Sequence, residues 1–67
     1  MKIEEFKKAW NEILKQEEEA VIELDNTATI IADKYVMKEI NKKYIVILSL
    51  HNYEIGQVML KNIKDVL

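Results

Sequence analysis

One seven-residue stretch, Tyr44-Ile45-Val46-Ile47-Leu48-Ser49-Leu50, constrains the fold of this chain more than any other feature. It is too short for a stable helix and is rich in β-branched residues, which pack well on a pleated surface. As a strand it sends residues 44, 46, 48 and 50 to one side and 45, 47 and 49 to the other. Both sets are almost wholly apolar, and a strand of that kind needs cover on both faces. Leaving Ile45 and Ile47 wet forfeits roughly 1.5–3 kcal/mol each. That is a large part of the about 5–15 kcal/mol that holds a typical domain together.

Little chain is left to supply the cover. The 67 residues are expected to form one domain, 1–67, and a domain of this size buries only about 60% of the surface its unfolded chain exposes. Small scaffolds commonly add a disulfide, a metal or a partner subunit. There is no cysteine, and His51 is the only histidine. A disulfide is therefore impossible, and no zinc-type site is expected. A second copy of the chain, with a dimer the first expectation, is the remaining source of cover.

An amphipathic helix opens the sequence. Ile3, Phe6, Trp10 and Ile13 recur at intervals of three and four, with Leu14 beside them, among Glu4, Glu5, Lys7, Lys8, Glu12 and Lys15. This is one apolar stripe on a charged cylinder, and Glu17 interrupts it, so the helix should end near residue 18. Ala20, Ile22 and Leu24 then alternate with Val21, Glu23 and Asp25 before a turn signal at Asp25-Asn26. Residues 27–40 are β-branched enough for a strand with a break near Asp33-Lys34. Ala28, Ile31, Ala32, Tyr35 and Val36 also fit a helical face. After Asn41-Lys42-Lys43 and the strand at 44–50, His51-Asn52 suits a two-residue hairpin turn. Tyr53, Ile55, Gln57 and Met59 fit a returning strand, with a helical turn around 62–66. The alternative is a full helix over 53–66, which Gly56 weakens by about 1 kcal/mol.

The expected fold is therefore α+β: the helix packed on a small antiparallel β-meander, ending in a short C-terminal helical turn. The alternative is αββα with helix 53–66. A leading helix, short strands and then Val58-Met59-Leu60-Lys61-Asn62-Ile63-Lys64-Asp65-Val66 resembles small SH3-like or Sm-like barrels. That resemblance implies a curled meander and, being at the level of fold, no particular function.

The chemical inventory is sparse. Ser49 and His51 lie two apart, so on a strand they would share a face, but nucleophilic catalysis assembles several convergent groups. Glu17-Glu18-Glu19 reads as a solvated run rather than carboxylates converging in a cleft. One glycine, Gly56, cannot make a phosphate-binding loop and suits a bulge or a close backbone approach. No catalytic, cofactor or metal residue is expected, and the chain is expected not to be an enzyme. The opening Met1-Lys2-Ile3-Glu4-Glu5 is charged at once, and the longest apolar run falls far short of the about 20 residues that span a bilayer. No membrane association and a cytoplasmic location are expected.

Two binding functions remain. The first is a protein-interaction module, a small regulator, adaptor or inhibitor acting by surface contact. It would self-associate and meet an unknown protein partner through Phe6, Trp10, Ile13, Ile45 and Ile47. Aromatic anchors dominate such surfaces, although packing on the sheet is the plainer role for Phe6 and Trp10. The second is a nucleic-acid-binding regulator using Lys34, Lys38, Lys42, Lys43 and Tyr44, with Tyr35 interleaved, since lysines hold phosphates and tyrosines stack on bases. Against it stand a net charge of −2 and the absence of arginine, the usual reader of guanine. Charge is nonetheless segregated. Residues 1–25 carry four lysines against eight acids, and residues 26–67 carry six lysines against four acids.

Overall fold

A computed structural model describes all residues, Met1–Leu67. Helix α1 spans Ile3–Gln16. Six strands follow: β1 Ala20–Leu24, β2 Thr29–Ala32, β3 Lys34–Ile40, β4 Lys43–Leu50, β5 Tyr53–Met59 and, after a 3-10 turn at Leu60–Asn62, β6 Ile63–Val66. They form two antiparallel three-stranded sheets, ordered β2-β1-β6 and β3-β4-β5. This is the expected α+β arrangement of a helix packed on a β-meander.

Helix α1 starts where the Glu5 carboxylate accepts the Lys2 N–H at 3.3 Å, with Glu4 and Glu5 in the first turn favoured by the helix dipole. It stops at Gln16, two residues before the expected end. Glu17 is extended, at φ −122° and ψ 156°. The dipole that welcomes acids at the start of a helix opposes Glu17, Glu18 and Glu19 at its end.

Residues 29–40 are extended with a break at Asp33, where the chain leaves the first sheet and enters the second. The helical alternative for 27–40 is thereby excluded: the β-branched content prevails once β1 and β4 offer ladder partners. The chain bends at Asp33 as a curled meander would, but no barrel closes. The 3-10 turn redirects the chain so that β6 joins β1, while β5 stays on β4.

The helix over 53–66 is also excluded. Residues 53–59 pair with β4 from Leu50↔Tyr53 to Ile45↔Met59. The helical turn is present but sits at 60–62, and Ile63–Val66, placed within that turn on sequence, form a strand on β1. Ile55 is the extra residue of a bulge, because Leu48 faces Gly56 while Ser49 faces Glu54. Gly56, beside it, would bring an added Cβ to 3.8 Å from Ile30 Cδ1, an ordinary contact.

Two tight turns set the register of the second sheet. His51 and Asn52 have φ of 53° and 71°, and Asn41 and Lys42 have 51° and 64°. Both central residues of a type I′ turn need this left-handed backbone, and asparagine tolerates it better than most residues. Thr27, in the β1–β2 loop, also has positive φ, 71°. A β-branched residue there is strained by about 1–3 kcal/mol.

The core is a single cluster between the sheets and under the helix. Phe6 and Trp10 come from α1, Ala20, Ile22 and Ala32 from the first sheet, and Val46 and Leu48 from the second; Leu60, Ile63 and Val66 close it from the C-terminal segment. Tyr35 ties helix to sheet, its ring edge-on to Phe6 and to Trp10 with centroids 4.9 Å away in both cases. No helix is long and apolar enough to cross a membrane.

Candidate functional site

The two sides of β4 meet different environments. Val46 and Leu48 point inward and are fully buried. Ile45 and Ile47 point outward and are only partly covered. The register defines what surrounds them. Val36 and Gln57 flank Ile47, Lys38 and Met59 flank Ile45, Lys34 and Glu54 flank Ser49, and Ile40 pairs with Lys43 at the far end. Because side chains alternate across a sheet, these residues share the outer face of the second sheet. Val36 is 56% exposed and Ile40 50% exposed. The face thus has an aliphatic centre of Val36, Ile40, Ile45, Ile47 and Met59, and a charged rim.

The rim is asymmetric. Along β3 it carries Lys34 and Lys38; across the sheet on β5 it carries Glu54 and Gln57, whose amide donates to the Glu54 carboxylate at 3.3 Å. Lys34 Nζ donates to Asn52 Oδ1 at 2.7 Å, which holds the ammonium at the end of the sheet where Glu54 lies. On this face Val36 and Ile40 are exposed while Ile45, Ile47 and Met59 are half-buried.

Of the residues expected to meet a partner, Ile45 and Ile47 lie on this surface. Phe6 and Trp10 do not. Phe6 is inaccessible and Trp10 is 6% exposed, because Tyr35 and the first sheet take up the helix stripe. Their expected partner contact is corrected to internal packing, and Ile13, half-buried, packs against the same core. Val36, Ile40 and Met59 are the surface residues that sequence reasoning missed. Once β3 and β5 are paired to β4 through two-residue turns, counting from the turns places them beside Ile45 and Ile47.

The lysines expected to act together are divided. Lys34 and Lys38 belong to the outer-face rim, and Lys34 lies roughly 20 Å along β3 from the turn that carries Lys42. Lys42, Lys43 and Tyr44, with Lys61, line one cleft of about 230 Å³ together with Met1, Met59 and Leu60. Lys61 was not among the expected residues. The 3-10 turn that follows β5 carries it.

Ser49 and His51 do not share a strand face. His51 is a turn residue. Its backbone N–H donates to Asp33 Oδ2 at 3.2 Å, and its exposed imidazole lies 3.8 Å from that oxygen and 3.9 Å from Glu19 Oε2. Ser49 instead serves the ladder, its carbonyl accepting the Asp33 N–H at 2.9 Å. Asp33 Oδ1 is buried without a hydrogen-bond partner. No group of three or more His, Cys, Asp or Glu side chains is arranged to hold a metal ion. Comparison with protein-family models, with curated proteins and with solved structures finds no match for this chain.

Proposed function

We propose that this chain is a protein-interaction module, a small regulator, adaptor or inhibitor acting by surface contact rather than by catalysis, and that it self-associates through the outer face of the second sheet. One observation carries the reading: Val36 and Ile40 stand half or more exposed beside the partly covered Ile45 and Ile47. A contiguous aliphatic patch with a charged rim is how an interaction surface is built. The sheet face is rigid, so it docks without the ordering cost that a loop would add.

Sedimentation equilibrium tests the proposal. Wild-type protein is expected to form dimers at micromolar concentration. Ile47→Lys, which places a charge at the centre of the patch, is expected to leave only monomer while its thermal midpoint as a monomer stays within a few degrees. A wild-type chain that stays monomeric up to millimolar concentration removes the proposal.

The cleft formed by Lys42, Lys43, Lys61 and Tyr44 favours a second reading, a nucleic-acid-binding regulator. Three lysines and a tyrosine lining one cleft are residue types that suit a phosphate chain and a stacked base. Binding to a single-stranded oligonucleotide would weaken steeply with added salt and be abolished by Lys42→Glu together with Lys43→Glu. Absence of binding at low salt rejects this reading.

A further inference from the structure

We infer that the cleft lined by Lys42, Lys43, Tyr44 and Lys61 is a site for one nucleotide bearing a terminal phosphate, either free or at the end of a strand. The inference deepens the second reading above, on whose cleft it rests, by narrowing the ligand to a single phosphomonoester unit.

Charge singles out this cleft. Three of the ten lysines line it and no acid does. The other cleft of the molecule, of about 420 Å³, is lined by Asp25 with Asn26, Gln57 and Asn62 and by no lysine. Both ion pairs of the chain involve His51, so Lys42, Lys43 and Lys61 have no carboxylate partner of their own. Like charges lining one cleft repel, and an anion seated among them removes the repulsion.

The backbone adds an independent sign. Lys42 occupies the second central position of the β3–β4 turn with φ 64°, a left-handed conformation in which glycine is the ordinary residue. A lysine is held there against the preference of the backbone, and such strain gathers at ligand sites.

Size and charge together limit the ligand. The cleft's volume of about 230 Å³ falls below the roughly 300–1,000 Å³ of a site that encloses a drug-sized molecule. It takes one ring, for which Tyr44, Met59 and Leu60 supply aromatic and apolar lining. A terminal phosphate carries a charge of about −1.5 to −2 at neutral pH, whereas a phosphate within a strand carries a single charge. Three lysines match the first better. Outside the cleft the remaining seven lysines stand against twelve acids, a net charge of −5, so a long polyanion is repelled beyond it.

Isothermal titration calorimetry at low salt tests the site with adenosine 5′-monophosphate as the probe. Adenosine, inorganic phosphate and a single-stranded oligoadenylate with and without its 5′-phosphate are measured beside it. The monophosphate should bind about tenfold or more tightly than adenosine or inorganic phosphate, each of which engages only part of the site. A 5′-phosphorylated strand that exceeds the unphosphorylated one by a similar factor assigns the site to strand ends; binding of the free nucleotide alone assigns it to free nucleotides. Lys61→Gln should weaken the monophosphate about fivefold or more. Lys42→Gly should do the same while its thermal midpoint stays at or above that of wild type, because glycine relieves the turn. A monophosphate that binds no tighter than adenosine while the two strands bind equally overturns the inference and leaves the second reading standing. Monophosphate binding that ignores both substitutions overturns it as well. If neither strand nor the monophosphate binds, the inference and the second reading fall together.

Discussion

Phe6→Ala should unfold most of the protein at room temperature. Phe6 is fully buried, stacked near Trp10 with centroids 5.9 Å apart and capped edge-on by Tyr35. Truncating a buried phenylalanine costs about 3–5 kcal/mol through lost burial and the cavity that remains. A core of this size rarely supplies more than about 3–5 kcal/mol in total, so the loss matches the margin. Circular dichroism against urea is the measurement. A variant with wild-type midpoint would mean that the helix is not anchored through Phe6, and the partner-facing role expected from sequence would be restored.

The second large effect separates the two sides of β4. Leu48→Ala should cost about 2–5 kcal/mol, because Leu48 is wholly inside. Ile47→Ala, one residue away, should cost a dilute monomer far less, since its side chain is already partly in water. Its effect should grow with protein concentration, as a contribution made through a second copy does. The comparison is made by urea titration at a low and a high protein concentration. Equal losses at both positions, independent of concentration, would show that the outer face is already covered within one chain.

That contrast also marks how far the sequence could be read. The doubly apolar pattern of 44–50 was plain because strand periodicity is strict, and it called for cover on both sides; the structure buries Val46 and Leu48 and leaves Ile45 and Ile47 partly covered. The stripe of Ile3, Phe6, Trp10 and Ile13 located α1 equally well. It could not tell inward from outward, since an apolar helix face looks the same whether it meets a sheet or a partner. Residues 53–66 were harder. Tyr53–Met59 fits either period, and only the ladder with β4 decides for a strand. Ile63–Val66 carried no strand signal of its own because two of its four residues, Lys64 and Asp65, are charged. Its pairing is dictated by β1, far away in the chain. Of the candidate surface, Ile45 and Ile47 were visible in the pattern. Val36, Ile40, Met59 and Lys61 required the register, which depends on which turns close.

The pairing of β1 with β6 has a consequence in time. Strands β3, β4 and β5 are joined by two-residue turns and can zip together locally, on the scale of microseconds for a hairpin. The first sheet waits, because β1 leaves the ribosome early but its second neighbour is the final strand. Closing that long loop is the entropically expensive contact of this topology. During synthesis the flank of β1 destined for β6 stays open until Ile63–Val66 arrive.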